Sequence, residues 1–223
     1  MPNILYLHGF ASSPDSRKGR FFLERFSSLG ADVHIPELVT GTFEKTTLSA
    51  QREVVERAAA EIRPSLIVGS SLGGYLAALH ASRHPELRCG IVLLAPAFDF
   101  VRRWADRLGK SCIDAWKQEG TLSVYHYGEQ GMSLLGYRFY QDARQFEPSP
   151  AVRQPVLIFH GKYDDVVDPA VSMEFARKNP DVELELLDSD HQLLNVLQPI
   201  WERTLHFCRR IEPFPLPGAY SGA

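Results

Sequence analysis

Short apolar runs alternate with amphipathic stretches along most of this 223-residue chain. "NILYLHG" is the first apolar run, and Arg17 to Leu29 has helical spacing and is closed by Gly30. "DVHIPEL" is a second run, and Leu48 to Ile62 is again helical. Leu66 to Val68 leads into Leu72 to His84, where Leu72, Leu76 and Leu79 recur at spacings of four and three, the mark of one helix face. "CGIVLLAPA" is apolar throughout, as a strand covered on both faces must be. "PVLIFHG", a helix from about Ala170, "VELELLD" and a helix from Leu193 to Arg210 complete the series. Strand and helix in alternation predict an α/β fold, a mostly parallel sheet flanked by helices. Right-handed crossovers then gather the strand C-termini on one edge, where loops build a site.

The rhythm breaks between about residues 98 and 150. "FVRRWADRL" and "IDAWKQEG" look helical, whereas "TLSVYHY" and "LLGYRFY" flank "GEQGMS" as a β-hairpin would. An insertion of this length between two sheet strands predicts a cap of helices and a β-hairpin over the active-site edge. Its Trp104 and Tyr137 are candidates to bind substrate. The plainer alternative is that these aromatics fill a small core of their own. Residues 1–212 read as one domain carrying this cap, and 213–223 as a Pro/Gly-rich tail.

Composition narrows the class. With 44% apolar and 23% charged residues, the chain can bury one sizeable core. A net charge of -3 and the lack of any basic run argue against nucleic acid as a partner. The three cysteines, Cys89, Cys112 and Cys208, are odd in number and show no C-x-x-C spacing, which predicts a reduced, cytoplasmic chain. "MPNILYLHGF" has no basic leader, and no segment approaches the ~20 apolar residues of a membrane span, so no membrane association is expected. Both a monomer and a homodimer are compatible with these features.

The candidate chemistry centres on "LIVGSSLGGYLA". G-x-S-x-G holds a serine on a strained strand-to-helix turn so that its oxygen projects from the sheet edge. Centred on Ser71 it finds Gly69 and Gly73; centred on Ser70 it would meet Val68 and Leu72. Ser71 is therefore the candidate nucleophile. A serine hydroxyl needs a histidine base and a carboxylate to hold that base, in the chain order serine, acid, histidine on this type of sheet. Of eight histidines, His191 in "LLDSDHQLL" stands where a loop enters the final helix, as that order requires. "IFHGKYDDVVDP" offers the acid: Asp164 first, Asp165 second, with Asp168 better placed to cap the following helix. Asp190 reads as a loop or cap residue, and Asp99 is an outside alternative. The oxyanion donors should be the Leu72 N–H and, from the "HGF" turn, that of Phe10, with Ala11 in reserve. His8 reads as a strand-end histidine bonding loop carbonyls. His80 and His84, spaced i, i+4, could face one metal ion, but no H-E-x-x-H pattern accompanies them, and they read as two helix-end histidines.

Together, "YLHGF", Gly69 to Gly73, "HGKYDDVV" and "SDHQLL" resemble the oxyanion, nucleophile, acid and histidine segments of the α/β-hydrolase superfamily. More narrowly, "LYLHGFASSPDSRKG" and "GSSLGGYLA" resemble the YqiA-like branch of small bacterial esterases. The resemblance implies a serine hydrolase acting on small-molecule acyl esters or thioesters, with no cofactor and no metal; acyl groups of short to medium chain are expected. Two other readings stay open: another chemistry on the same fold, such as a perhydrolase or a carbon-carbon bond hydrolase, and a non-catalytic, ligand-binding member.

Overall fold

A computed structural model describes residues 1–179 and 181–211; the tail read at 213–223 lies outside the described residues. Its elements are β1 (Asn3–Leu7), α1 (Arg17–Ser27), β2 (Asp32–His34), α2 (Leu48–Ile62), β3 (Leu66–Ser70), α3 (Leu72–Arg83), β4 (Gly90–Leu94) and α4 (Phe100–Glu119). There follow β5 (Thr121–His126), β6 (Gly131–Gly136), α5 (Tyr137–Ala143), β7 (Val156–Gly161), α6 (Ala170–Lys178), β8 (Val182–Leu187) and α7 (Leu197–Cys208). Six strands form one sheet in the order β2-β1-β3-β4-β7-β8, every neighbouring pair parallel.

Side chains alternate across a strand, and this alternation builds two cores. Leu5, Leu7, Ile67, Ile91, Leu93 and Ile158 face the layer of α2, α3 and α6, packing with Val55, Leu76 and Phe175. Ile4, Tyr6, Val68, Val92, Leu94 and Phe159 face α1 and α7, packing with Phe22, Phe26, Ile200 and Trp201.

The insertion joins the first of these cores. Trp116, Phe139 and Tyr140 belong to the same buried cluster as the strand residues. Hydrogen bonds tie it down further: Tyr127 N–H donates to Ala11 O at 2.7 Å, Tyr75 Oη–H to Glu147 O at 2.7 Å, and Asp142 accepts from Ser49 N–H and Oγ–H, both at 2.7 Å.

Element boundaries differ from the sequence pattern where a backbone rule intervenes. β2 pairs only over three residues because Pro36 follows and brings no N–H to the ladder. The two expected cap helices are one span broken at Gly109, at φ 75° and ψ 159°. The hairpin pairs Thr121 with Gly136 and His126 with Gly131, so its second strand begins at Gly131 and "YRFY" is helical. α7 starts at Leu197, after Leu193 turns left-handed at φ 58°, which leaves Pro199 in the first turn, where its missing N–H costs nothing.

Candidate active site

The strand order turns back at β1, with β2 on one side and the rest of the sheet beyond β3. Such a reversal opens a crevice at the strand C-termini. Leu7 is paired with Gly69, so the loop after β1 and the turn after β3 leave the sheet side by side.

Ser71 follows β3 at φ 52°, ψ -116°, a conformation that a non-glycine residue keeps only when its surroundings impose it. The Ser71 N–H donates to Leu94 O at 2.9 Å, and Ser71 O accepts from the N–H groups of Gly74 (2.9 Å), Tyr75 (3.1 Å) and Ala97 (3.0 Å). The flanking glycines are sterically required. A Cβ on Gly69 would stand 2.5 Å from Gly73 O and 2.7 Å from Gly74 Cα, and one on Gly73 would run into the carbonyl oxygens of Leu7 and His8. Ser70, by contrast, is the buried last residue of β3.

His191 reaches this turn from the loop between β8 and α7. Its Nε2 lies 3.1 Å from Ser71 Oγ and its Nδ1 2.7 Å from Asp164 Oδ2. The Asp164 side chain is fully buried, and its Oδ1 accepts the N–H groups of Val166 at 2.9 Å and Val167 at 2.7 Å. Burial alone would raise its pKa. Hydrogen bonds from His160 and His191, the charge on His191 and the Val167 N–H outweigh burial and hold the carboxyl well below the usual carboxylate range. Serine, imidazole and carboxylate so linked can move the serine proton onto the ring and stabilise the imidazolium that results.

Of the other four candidate acids, three are engaged elsewhere and one is exposed. Asp165 is exposed, Asp168 accepts from Ala170 N–H at 2.9 Å at the start of α6, and Asp190 accepts from Gln192 N–H at 2.9 Å. Asp99 pairs with Arg102 Nε at 2.6 Å.

The turn after β1 meets Ser71 directly: a Cβ on Gly9 would stand 3.4 Å from Ser71 Cβ. Phe10 follows Gly9, and Leu72 opens α3, whose first N–H groups have no partner within the helix. The Phe10 ring contacts Trp104 edge-on at 5.1 Å and Phe43 and Phe139 at 5.5 Å each. Trp104 lies 6.5 Å from Trp116, which lies 5.6 Å from Tyr137, so Tyr137 stands two rings further along this aromatic row. His8 is buried, with Nδ1 3.0 Å from Gly9 O and Nε2 accepting from Leu38 N–H at 3.4 Å.

Two residues of this neighbourhood escaped the sequence reading. His160, the penultimate residue of β7, is fully buried, with Nε2 2.8 Å from Val167 O and 3.1 Å from Asp164 Oδ2, and Nδ1 2.7 Å from Ser172 Oγ. A carbonyl only accepts, so Nε2 carries the proton, shares it with Asp164, and leaves Nδ1 to accept from Ser172. Its place four residues before Asp164, at the foot of the same loop, was the available signal. Lys18, in the first turn of α1, is pushed down to about 8 by burial, while the charges of Asp164 and Asp190 act in the opposite direction. No spacing in the sequence marks it.

A parallel sheet with a serine on a strained strand-to-helix turn defines the α/β-hydrolase fold, which this chain has. The chain belongs to the Uncharacterised protein family (UPF0227), the YqiA-like group, whose sequence model matches residues 3–208. It is similar to the mitochondrial palmitoyl-protein thioesterase ABHD10 of Rattus norvegicus, 27% identical over 213 residues that cover 86% of this chain and 69% of that protein. It is also similar to the pimeloyl-[acyl-carrier protein] methyl ester esterase of Nitrosospira multiformis, 25% identical over 230 residues, 83% of this chain and 86% of the relative. Among solved structures, mouse alpha/beta hydrolase domain-containing protein 10 superposes with a TM-score of 0.78 at 22% identity, covering 93% of this chain and 90% of that one. Est1E from Butyrivibrio proteoclasticus superposes with a TM-score of 0.75 at 17% identity, covering 92% and 86%. At these identities the structural likenesses are likenesses of fold. Among the described residues, no helix is long and apolar enough to cross a membrane.

Proposed function

We propose that this protein is a serine hydrolase that cleaves carboxylic esters or thioesters of short to medium acyl groups through an acyl-enzyme. The observation that carries this reading is the hydrogen-bonded series Ser71 Oγ, His191 and Asp164, with the serine on a turn strained to φ 52°. Ser71 attacks the acyl carbonyl carbon as its proton passes to His191 Nε2, and Asp164 stabilises the imidazolium. The N–H groups of Leu72 and Phe10 receive the oxyanion. His191 then protonates the leaving alcohol or thiol. A water, deprotonated by the same ring, attacks the acyl-enzyme and releases the acid and Ser71.

The relatives support both leaving groups, since one is named for a thioester and one for a methyl ester. Residues 98–150 form a fixed roof, supported by their sharing a core with the sheet. Phe10, Trp104 and Phe139 crowd the space beside the oxyanion turn, which favours short acyl groups over long ones. Tyr137 would touch only the far end of a longer chain. Three free cysteines suit a reducing compartment such as the cytoplasm.

The test is peptide mass spectrometry after reaction with a fluorophosphonate, which labels an activated serine whatever its substrate. The expected outcome is one adduct on Ser71, lost in His191→Ala. A folded protein that takes no adduct would overturn the reading.

A further inference from the structure

At the far end of α3, three side chains from two helices converge. Glu56 of α2 and His80 and His84 of α3 each present one donor atom, and the three atoms lie within 4.8 Å of one another. Glu56 Oε2 is 2.7 Å from His84 Nε2 and 3.2 Å from His80 Nδ1.

A second observation makes this more than a chance cluster. His80 is only 3% exposed, yet neither of its ring nitrogens makes a hydrogen bond. Nδ1 faces Glu56 Oε2 but is not aligned with it. With Glu56 Oε1 and Arg52 Nε, this one place holds four of the eight buried side-chain polar atoms that lack a hydrogen bond among the described residues. Buried polar atoms are nearly always satisfied, so such a concentration needs an explanation.

From this we infer that Glu56, His80 and His84 form a binding site for a divalent transition-metal ion, of which zinc best fits the donors. Two imidazoles and one carboxylate are an ordinary zinc donor set, with a fourth position left for water. Ligands about 2.1 Å from a tetrahedral ion stand about 3.4 Å apart. The Glu56 to His80 distance is close to that value; His84 has to move back from Glu56, and the two imidazole donors, within 4.8 Å of one another, have to settle at the same spacing. The half-exposed His84 leaves a path for entry.

The surroundings fit an ion as well. Glu86 Oε1 lies 3.2 Å from His84 Nδ1, so as Nε2 takes the metal its proton relocates to Nδ1 and is held by Glu86, the usual outer partner of a metal-bound imidazole. Arg52 reaches the other Glu56 oxygen, at 3.7 Å, and leaves Oε2 for the ion. Position argues for a structural role. His80 is nine residues beyond Ser71, about 13 Å along the helix axis, so the ion would pin α2 to α3, the helix that carries the nucleophile turn at its other end. The i, i+4 pair was visible in the sequence, but its third ligand comes from another helix, at no recognisable spacing.

The experiment is titration of the metal-free full chain with zinc ion against a chromophoric chelator, with thermal unfolding in parallel. One ion per chain and a Tm raised by a few degrees are expected. Affinity should fall at least tenfold in both Glu56→Gln and His84→Gln, and persist in His191→Ala. No binding, affinity unchanged in those two variants, or binding lost only in His191→Ala would each overturn the proposal. His84→Gln changes a partly exposed side chain, so it keeps the test open if the other variant folds poorly. None of these readouts depends on the esterase reading.

Discussion

His160 directs its Nε2 at the same Asp164 oxygen that receives His191, 3.1 Å away and wholly buried. The carboxylate is thus fixed by two imidazoles on Oδ2 and two backbone N–H groups on Oδ1. On the proposed serine-hydrolase reading, His160 is a positioning residue, which acts through the angle and the charge of Asp164. His160→Phe should lower kcat about tenfold with KM nearly unchanged, and His160→Gln, which keeps a donor, should recover part of the loss. An equal rise in KM for both variants, with kcat intact, would refute this role.

The proton path gives a steeper expectation. Asp164→Asn leaves a ring partner of the same shape but favours the wrong imidazole tautomer, and Ser71→Ala removes the proposed nucleophile. Asp164→Asn should cost about ten-thousandfold and Ser71→Ala about a millionfold in kcat/KM, both without loss of fold. Steady-state hydrolysis of an activated acyl ester, with circular dichroism as the control for folding, checks both. Retention of most activity by Ser71→Ala would move the nucleophile elsewhere.

The elbow can be tested separately from the chemistry. A methyl group on Gly73 points into two backbone carbonyls, which cannot rotate away as a side chain would. Gly73→Ala should therefore destabilise the fold by about 3 kcal/mol or fail to yield soluble protein. Gly41, with open space around it, is the contrast in packing terms, although its φ of 86° adds strain of its own. Urea unfolding of Gly73→Ala at wild-type stability would mean that the turn relaxes more easily than its contacts imply.

Much of this was legible in the sequence because the informative signals are local. Continuous apolar runs report strands buried on both faces, and G-x-S-x-G reports a steric demand that glycine alone satisfies at Gly69 and Gly73. The helical spacing from Leu48 to Ile62 matches the bounds of α2, which Thr47 caps at one end and a left-handed Arg63 closes at the other. Legibility ended where partners sit on different elements, whatever their separation in the chain. The His160 to Asp164 contact runs between a strand end and the loop above it, and the Glu56, His80 and His84 cluster needs two helices in register. The helical character of "YRFY" was hidden because aromatics suit either element, and the hairpin register, set elsewhere, decided it.

Acid should expose the energetics of Asp164. A carboxyl whose pKa is depressed in the folded state stabilises the fold at pH values above the ordinary range near about 3.9, where the unfolded group is ionised too. That contribution is lost as pH falls from there toward the lower folded value. The difference in stability between the wild type and Asp164→Asn should accordingly shrink below about pH 4. Urea unfolding across the acid range measures it, and a difference independent of pH would contradict the depressed pKa.

The acyl group can be addressed through Trp104, which meets the Phe10 ring edge-on at 5.1 Å and continues toward Trp116 and Tyr137. If this row forms the wall against which the acyl chain lies, Trp104→Ala opens space for additional methylenes next to the oxyanion turn. Each methylene buried contributes about 0.8 kcal/mol, a factor of about four in kcal-to-rate terms. Relative to butyryl esters, kcat/KM for hexanoyl esters should rise about fifteenfold in the variant. Tyr137→Ala, two rings further out, should leave that ratio alone and act only on longer chains. The global cost of removing a large ring is separable, because instability lowers the active fraction equally for every ester and cancels in the ratio. A ratio unchanged in Trp104→Ala would place the acyl chain on another side of Ser71.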